Sequence, residues 1–94
     1  MDFVVAIRRS HLDQQFEATA LALAGCASSG RDLDETVQNI EAAIRLRLDT
    51  LLKRGTRPQI GDLETQFALA REHPERAEWI VTVVRVRAVP KTLF

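Results

Sequence analysis

Three side chains of the usual nucleophilic or metal-binding types are present: Cys26, His11 and His73. A reactive thiol needs a nearby base or cation to hold it as thiolate. Cys26 follows Gly25, has no histidine close in sequence, and reads as a small buried residue. None of the three shows paired ligand spacing such as Cys-x-x-Cys or His-x-x-x-His, so neither a metal nor a cofactor is expected. His73 also suits the negative end of a helix. The carboxylates Asp32, Asp34, Glu35 and Glu41 are the remaining side chains of metal-binding type in this part of the chain. Helix capping already accounts for Asp32 and Glu35, which leaves no convergent set, and the chain is read as a non-enzyme.

Arg45, Arg47, Lys53, Arg54 and Arg57 concentrate positive charge along one segment. A solvated helix face is the default reading, and a contact surface for RNA or an acidic partner is the alternative. No aromatic residues are interleaved to stack on single-stranded bases. Over the whole chain 13 basic residues balance 13 acidic ones, without the basic excess of a dedicated nucleic-acid binder. Trp79, with Val81 and Val83, lines the outer face of the last predicted strand. Trp79 either packs under a preceding helix, against Phe67, or anchors a dimer. These three residues are the candidate partner or dimer interface.

The elements that must position these groups follow from periodicity. Residues 2–9 alternate as a strand, with Phe3, Val5 and Ile7 on one face. Ser10–Gln15 breaks the pattern as a hairpin loop. Residues 16–24 are rich in alanine and leucine, but their length and flanking turns favour a strand. That strand places Phe16, Ala18, Ala20 and Ala22 on one face, and Glu17, Thr19, Leu21 and Leu23 on the other. Gly25–Gly30 suits a brief third strand ending in a turn.

Asp32 and Glu35 form a capping box that opens a helix over 33–54. Leu33, Val37, Ile40, Ile44, Leu48 and Leu51 make its apolar stripe, and Gly55 stops it. A second helix starts at the Asp62 cap, carries Leu63, Phe67 and Ala70, and ends at His73-Pro74. Residues 79–88 form a strand apolar on both faces, with Ile80, Val84 and Val86 opposite Trp79, Val81 and Val83. The long helix can cover only one of those faces, so the other needs the second helix or a second subunit.

At 94 residues the chain is read as one domain, 1–94, with little core to spare. A hydrophobic share of 46% and a charged share of 28% argue against disorder. A single cysteine, no leader-like apolar run and no membrane-length apolar stretch point to a cytoplasmic protein.

From Phe16 to Gly55 the sequence resembles the HicB-like antitoxin family. The family pattern runs from an aromatic-led strand through Pro-Asp-Leu-Pro-Gly-Cys and a Ser/Gly turn. Thr-Leu-Glu-Glu-Ala then opens a helix containing Asn-Ile. The matching residues are Phe16, Ala18, Leu23, Gly25, Cys26, Ser28, Gly30, Leu33, Glu35, Asn39, Ile40, Glu41, Ala43, Ile44, Leu46 and Leu48. Leu21-Ala22-Leu23-Ala24 replaces the proline-bearing stretch, and Asp32 replaces the threonine cap. The 62–78 segment is longer than the usual link to the last strand.

The resemblance implies an α+β fold with a β-β-β-α-β core, a partial ribonuclease H-like sheet, here with an extra short helix before the last strand. It also implies a protein-binding antitoxin that self-associates and binds a small toxin ribonuclease. The family's DNA-binding tail would follow the last strand. Only eight residues follow Val86 here, so specific duplex DNA binding is not expected. The alternatives are a structural or regulatory homodimer with no toxin and, further off, an RNA-binding domain.

Overall fold

β1 (Asp2–Arg9) is the organising strand of the computed structural model, which describes residues 1–10, 12–56, 58–73 and 79–86. His11, Arg57 and the end of the 79–88 strand lie outside those residues. Phe3, Val4, Val5, Ala6 and Ile7 are all buried, so β1 is covered on both faces as a central strand must be. It pairs antiparallel with β2 (Phe16–Ala20) on one side and β4 (Ile80–Arg85) on the other, and β2 pairs antiparallel with β3 (Ala27–Gly30). The sheet order is β3-β2-β1-β4, so β3 and β4 are its edges.

The β1–β2 loop contains no glycine. Among its described residues Gln14 is left-handed, at φ 63°, and the Ser10 amide donates to the Gln15 carbonyl at 2.7 Å. β2 is shorter than the sequence pattern suggested. It stops at Ala20, where the chain turns through Gly25 at φ 76°. Leu23 is therefore not on the outer face of a strand; the turn folds it into the core with Ala18, Ala20 and Cys26.

α1 (Leu33–Lys53) lies across one sheet face. Ile40, Ile44 and Leu48 meet Phe3, Val5, Ile7 and Val84 in the core. The stripe is narrower than predicted. Val37 and Leu51 are half-buried, Leu33 is 40% exposed, and Thr36 takes the buried position of the first turn. Leu33 sits in that first turn, beside the Asp32 cap and outside the buried run. Asp32 Oδ1 accepts the Glu35 amide at 2.8 Å. Glu35 reaches one residue beyond the cap, accepting the Arg31 amide at 3.0 Å. Gly55, at φ 68°, closes the helix: its amide bonds the Leu52 carbonyl and the Thr56 amide bonds that of Leu51.

α2 (Leu63–Glu72) covers the opposite face of β1, with Asp62 Oδ1 accepting the Thr65 amide at 2.8 Å. Its buried residues are Gln66 and Ala70, while Leu63 and Phe67 are half-buried. The side read from Leu63, Phe67 and Ala70 is the one that faces the sheet, with the polar Gln66 at its centre.

Candidate edge-strand interface

β4 has β1 on one side and no neighbour on the other among the described residues. Its register fixes which backbone groups face β1 and which face away. The Met1 amine donates to the Val86 carbonyl at 3.1 Å, and the Val86 amide returns a bond to Met1 at 2.8 Å. Stepping by two along the register Phe3–Val84, Val5–Thr82 and Ile7–Ile80, the backbone groups of Ile80, Thr82 and Val84 point at β1. Those of Val81, Val83 and Arg85 point away from it.

The side chains follow the same alternation. Val81 and Val83 stand beside Ala6 and Val4 on the α2 face. α2 buries Val4 and Ala6 and stops short of the edge, leaving Val81 37% and Val83 41% exposed. Ile80, on the α1 face, is 51% exposed because α1 lies mainly over β3 and β2. The edge is thus apolar on both faces. Its one charge, Arg85, is tied to Asp2 at 3.0 Å, and this bond holds the Asp2 carboxyl below its usual pKa.

Trp79 is half-buried just ahead of β4. It packs on His73 at the α2 C-cap, with ring centroids 4.2 Å apart, rather than on Phe67. With Ala6, Arg8, Glu17, Thr19 and Leu21 these two rings line an open depression of about 220 Å³. Arg8 and Glu17 pair across its floor at 3.2 Å, and its lining includes no nucleophile held against a base. Trp79, Val81 and Val83 therefore share one face at one edge of the sheet.

Among the described residues, several of the other sequence candidates have structural partners. Cys26 is 3% exposed, and burial raises its thiol pKa against a weaker opposing effect of Arg47. Arg45 pairs with Glu41 at 2.6 Å and Lys53 with Asp49 at 3.0 Å. Arg47 donates to the Ala24 and Gly25 carbonyls at 3.0 and 3.3 Å. Arg54 is the C-cap of α1. Among the described residues no group of three or more His, Cys, Asp or Glu side chains could hold a metal ion, and no helix is long and apolar enough to cross a membrane. Sequence reasoning missed the capping of the β3 edge by Asn39 and Arg47, because nothing in their spacing announces a carbonyl partner.

A family model described as the HicB-like antitoxin of bacterial toxin-antitoxin systems matches residues 3–91. The fold is similar to the crystal structure of the Burkholderia pseudomallei antitoxin HicB, at a TM-score of 0.73 and 22% identity. That match covers 94% of this chain and 64% of the other, so the chain spans under two thirds of that antitoxin's length. The separate N-terminal domain of the same antitoxin aligns at a TM-score of 0.69 and 23% identity, covering 92% of this chain and 98% of the domain. An HicA3–HicB3 toxin-antitoxin complex supplies a further match, with a TM-score of 0.69, 17% identity and coverage of 92% and 98%. A search of curated proteins returns no match. At these identities the structural likeness shows the fold: an antiparallel four-stranded sheet with two helices.

Proposed function

Because this chain belongs to the HicB-like antitoxin family, we propose that it is a non-enzymatic protein-binding domain that neutralises a small HicA-type toxin ribonuclease and self-associates through its last strand. One observation carries the reading at the level of this molecule. Asp32, Glu35 and Arg47 are spent on caps and carbonyls, whereas Ile80, Val81 and Val83 stand exposed on a strand whose outer edge is open among the described residues. Contiguous exposed apolar surface of this kind marks an association site. The solved HicA3–HicB3 complex supports a toxin as the heterologous partner.

In this reading residues 1–94 act as one cytoplasmic unit, the β-β-β-α-β core is a partial ribonuclease H-like arrangement, and Trp79, Val81 and Val83 belong to the interface. Regulatory self-association without a toxin is the second reading, and the same open edge favours it.

Co-expression with a HicA-type toxin from the same genome separates the two. Toxin neutralisation restores growth and yields a purified complex in which the toxin no longer cleaves RNA. Unrelieved toxicity against every such toxin, with no complex formed, would remove the antitoxin role and leave the homodimer.

A further inference from the structure

The two edges of the sheet are not equivalent. At β3 the outward carbonyl of Ser29 accepts the Asn39 side-chain amide at 2.8 Å, and the carbonyls of Ala24 and Gly25, just before the strand, accept from Arg47. α1 therefore blocks that edge with side chains, one of the ways proteins blunt an edge strand. At β4 the outward groups belong to Val81, Val83 and Arg85, and the α1 residues that cap β3 are on the far side of the sheet. The strand is six residues long and contains no proline, and its one charge is neutralised by Asp2. Such an edge is a template for another strand.

We propose that β4 pairs antiparallel with β4 of a second copy about a two-fold axis at Thr82, joining two four-stranded sheets into one continuous sheet. This rests on the self-association read above and specifies its geometry. The occupant is a second copy because β4 is complementary to itself. In the register centred on Thr82, Val81 lies opposite the partner's Val83 and Ile80 opposite the partner's Val84. The exposed Val81 and Val83 then meet each other across the seam, and Ile80 meets an apolar residue that its own core already buries. Trp79 comes opposite the partner's Arg85, placing a guanidinium beside an indole face, a favourable pairing. The Asp2–Arg85 pair leaves no net charge on the edge to repel a copy. A two-fold register centred on Val83 uses the same outward groups. It sets Val81 against the partner's Arg85, and cross-strand pairing favours apolar against apolar.

Thr82 turns its own backbone groups toward β1, so its pair across the new seam is the non-hydrogen-bonded kind, in which opposite residues approach most closely. Thr82→Cys should therefore oxidise to a covalent dimer on a non-reducing gel, in most of the chain. Val83→Cys should remain largely uncrosslinked, and the unmodified protein should stay uncrosslinked because Cys26 is buried. Val83→Pro removes an outward amide that β1 does not use, and Val83→Lys adds a charge to the same seam. Either change should halve the light-scattering mass from the dimer value to the chain's own 10.6 kDa. Two variants are used so that a folding defect in one does not decide the matter. An unmodified protein that is monomeric at high micromolar concentration overturns both the pairing and the self-association reading. A dimer that survives both Val83 variants overturns the pairing alone, as does preferential crosslinking at Val83→Cys.

Discussion

The side-chain oxygen of Gln66 accepts the main-chain N–H of Val4 at 2.8 Å, in the middle of the sheet. β2 ends at Ala20, yet Leu21 still donates to the Val4 carbonyl at 3.2 Å. The reciprocal bond to Leu21 is replaced by the glutamine. The Gln66 amide nitrogen bonds the Asp2 and Gly61 carbonyls at 3.2 and 3.3 Å, so one α2 side chain ties together the start of β1 and the turn before its own helix. Gln66 is 1% exposed, and no buried side-chain polar atom among the described residues lacks a partner.

Gln66→Leu keeps the bulk but orphans the buried Val4 amide. Leaving a buried donor unsatisfied costs about 1–3 kcal/mol. Urea melts should show that loss, and the Val4 amide should exchange faster with deuterium. An unchanged midpoint would mean water replaces the glutamine.

Ile44 is fully buried where α1 crosses the sheet. Ile44→Ala should destabilise the protein by about 2–5 kcal/mol through lost burial and the cavity left behind. A loss of less than about half a kcal/mol, well below that range, would place this helix face outside the core.

Long-range partners mark what the sequence left illegible. α1 was readable from Asp32, Ile40, Ile44, Leu48 and Gly55 because capping and periodicity are local signals. β1 and β4 were readable from alternation, and so was the sharing of one face by Val81 and Val83. The end of β2 was not, because Leu21-Ala-Leu-Ala24 has no turn residue before Gly25 and propensity alone does not mark where the strand bends. Gln66 was hidden for a different reason. A glutamine on an apolar helix face looks like an interruption until the backbone donor it satisfies, 62 positions away, is known. The contrast between the Asn39- and Arg47-capped edge and the open β4 edge likewise depends on strand order, which one sequence does not display.

Gly30 closes β3 against the first turn of α1. A Cβ built there would lie 2.6 Å from both the amide nitrogen and the hydroxyl of Thr36, closer than side chains tolerate. The Thr36 amide and hydroxyl are both committed to the Asp32 carbonyl, at 3.0 and 2.6 Å, so neither yields without breaking the cap. Gly30→Ala should cost about 1–3 kcal/mol, the range for overpacking. Thermal melts would check it, with Gly55→Ala as a comparison in which nothing crowds the new methyl and only the positive φ is strained.

Acid should destabilise the fold through three carboxylates. The Thr65 amide bonding Asp62, the Arg31 amide and guanidinium bonding Glu35, and the Arg85 guanidinium bonding Asp2 each hold a carboxyl below its ordinary pKa. A carboxylate whose pKa is lower in the folded chain than in the unfolded one is protonated first when unfolded. Its contribution is therefore complete above the unfolded value, about 4, and is lost as pH falls through the folded value. Stability to urea should thus be level from neutral pH down to about 5 and decline below about 4. Asp62→Asn and Glu35→Gln should each flatten that decline, since each removes a titrating group and keeps a hydrogen-bonding side chain in its place. The Asp62 variant should affect α2 and, through it, the Gln66–Val4 bond, so the protection of the Val4 amide, its exchange relative to the intrinsic rate at each pH, should lose its acid dependence in Asp62→Asn and keep it in Glu35→Gln. Identical acid profiles for the parent and both variants would show that these caps do not govern acid unfolding.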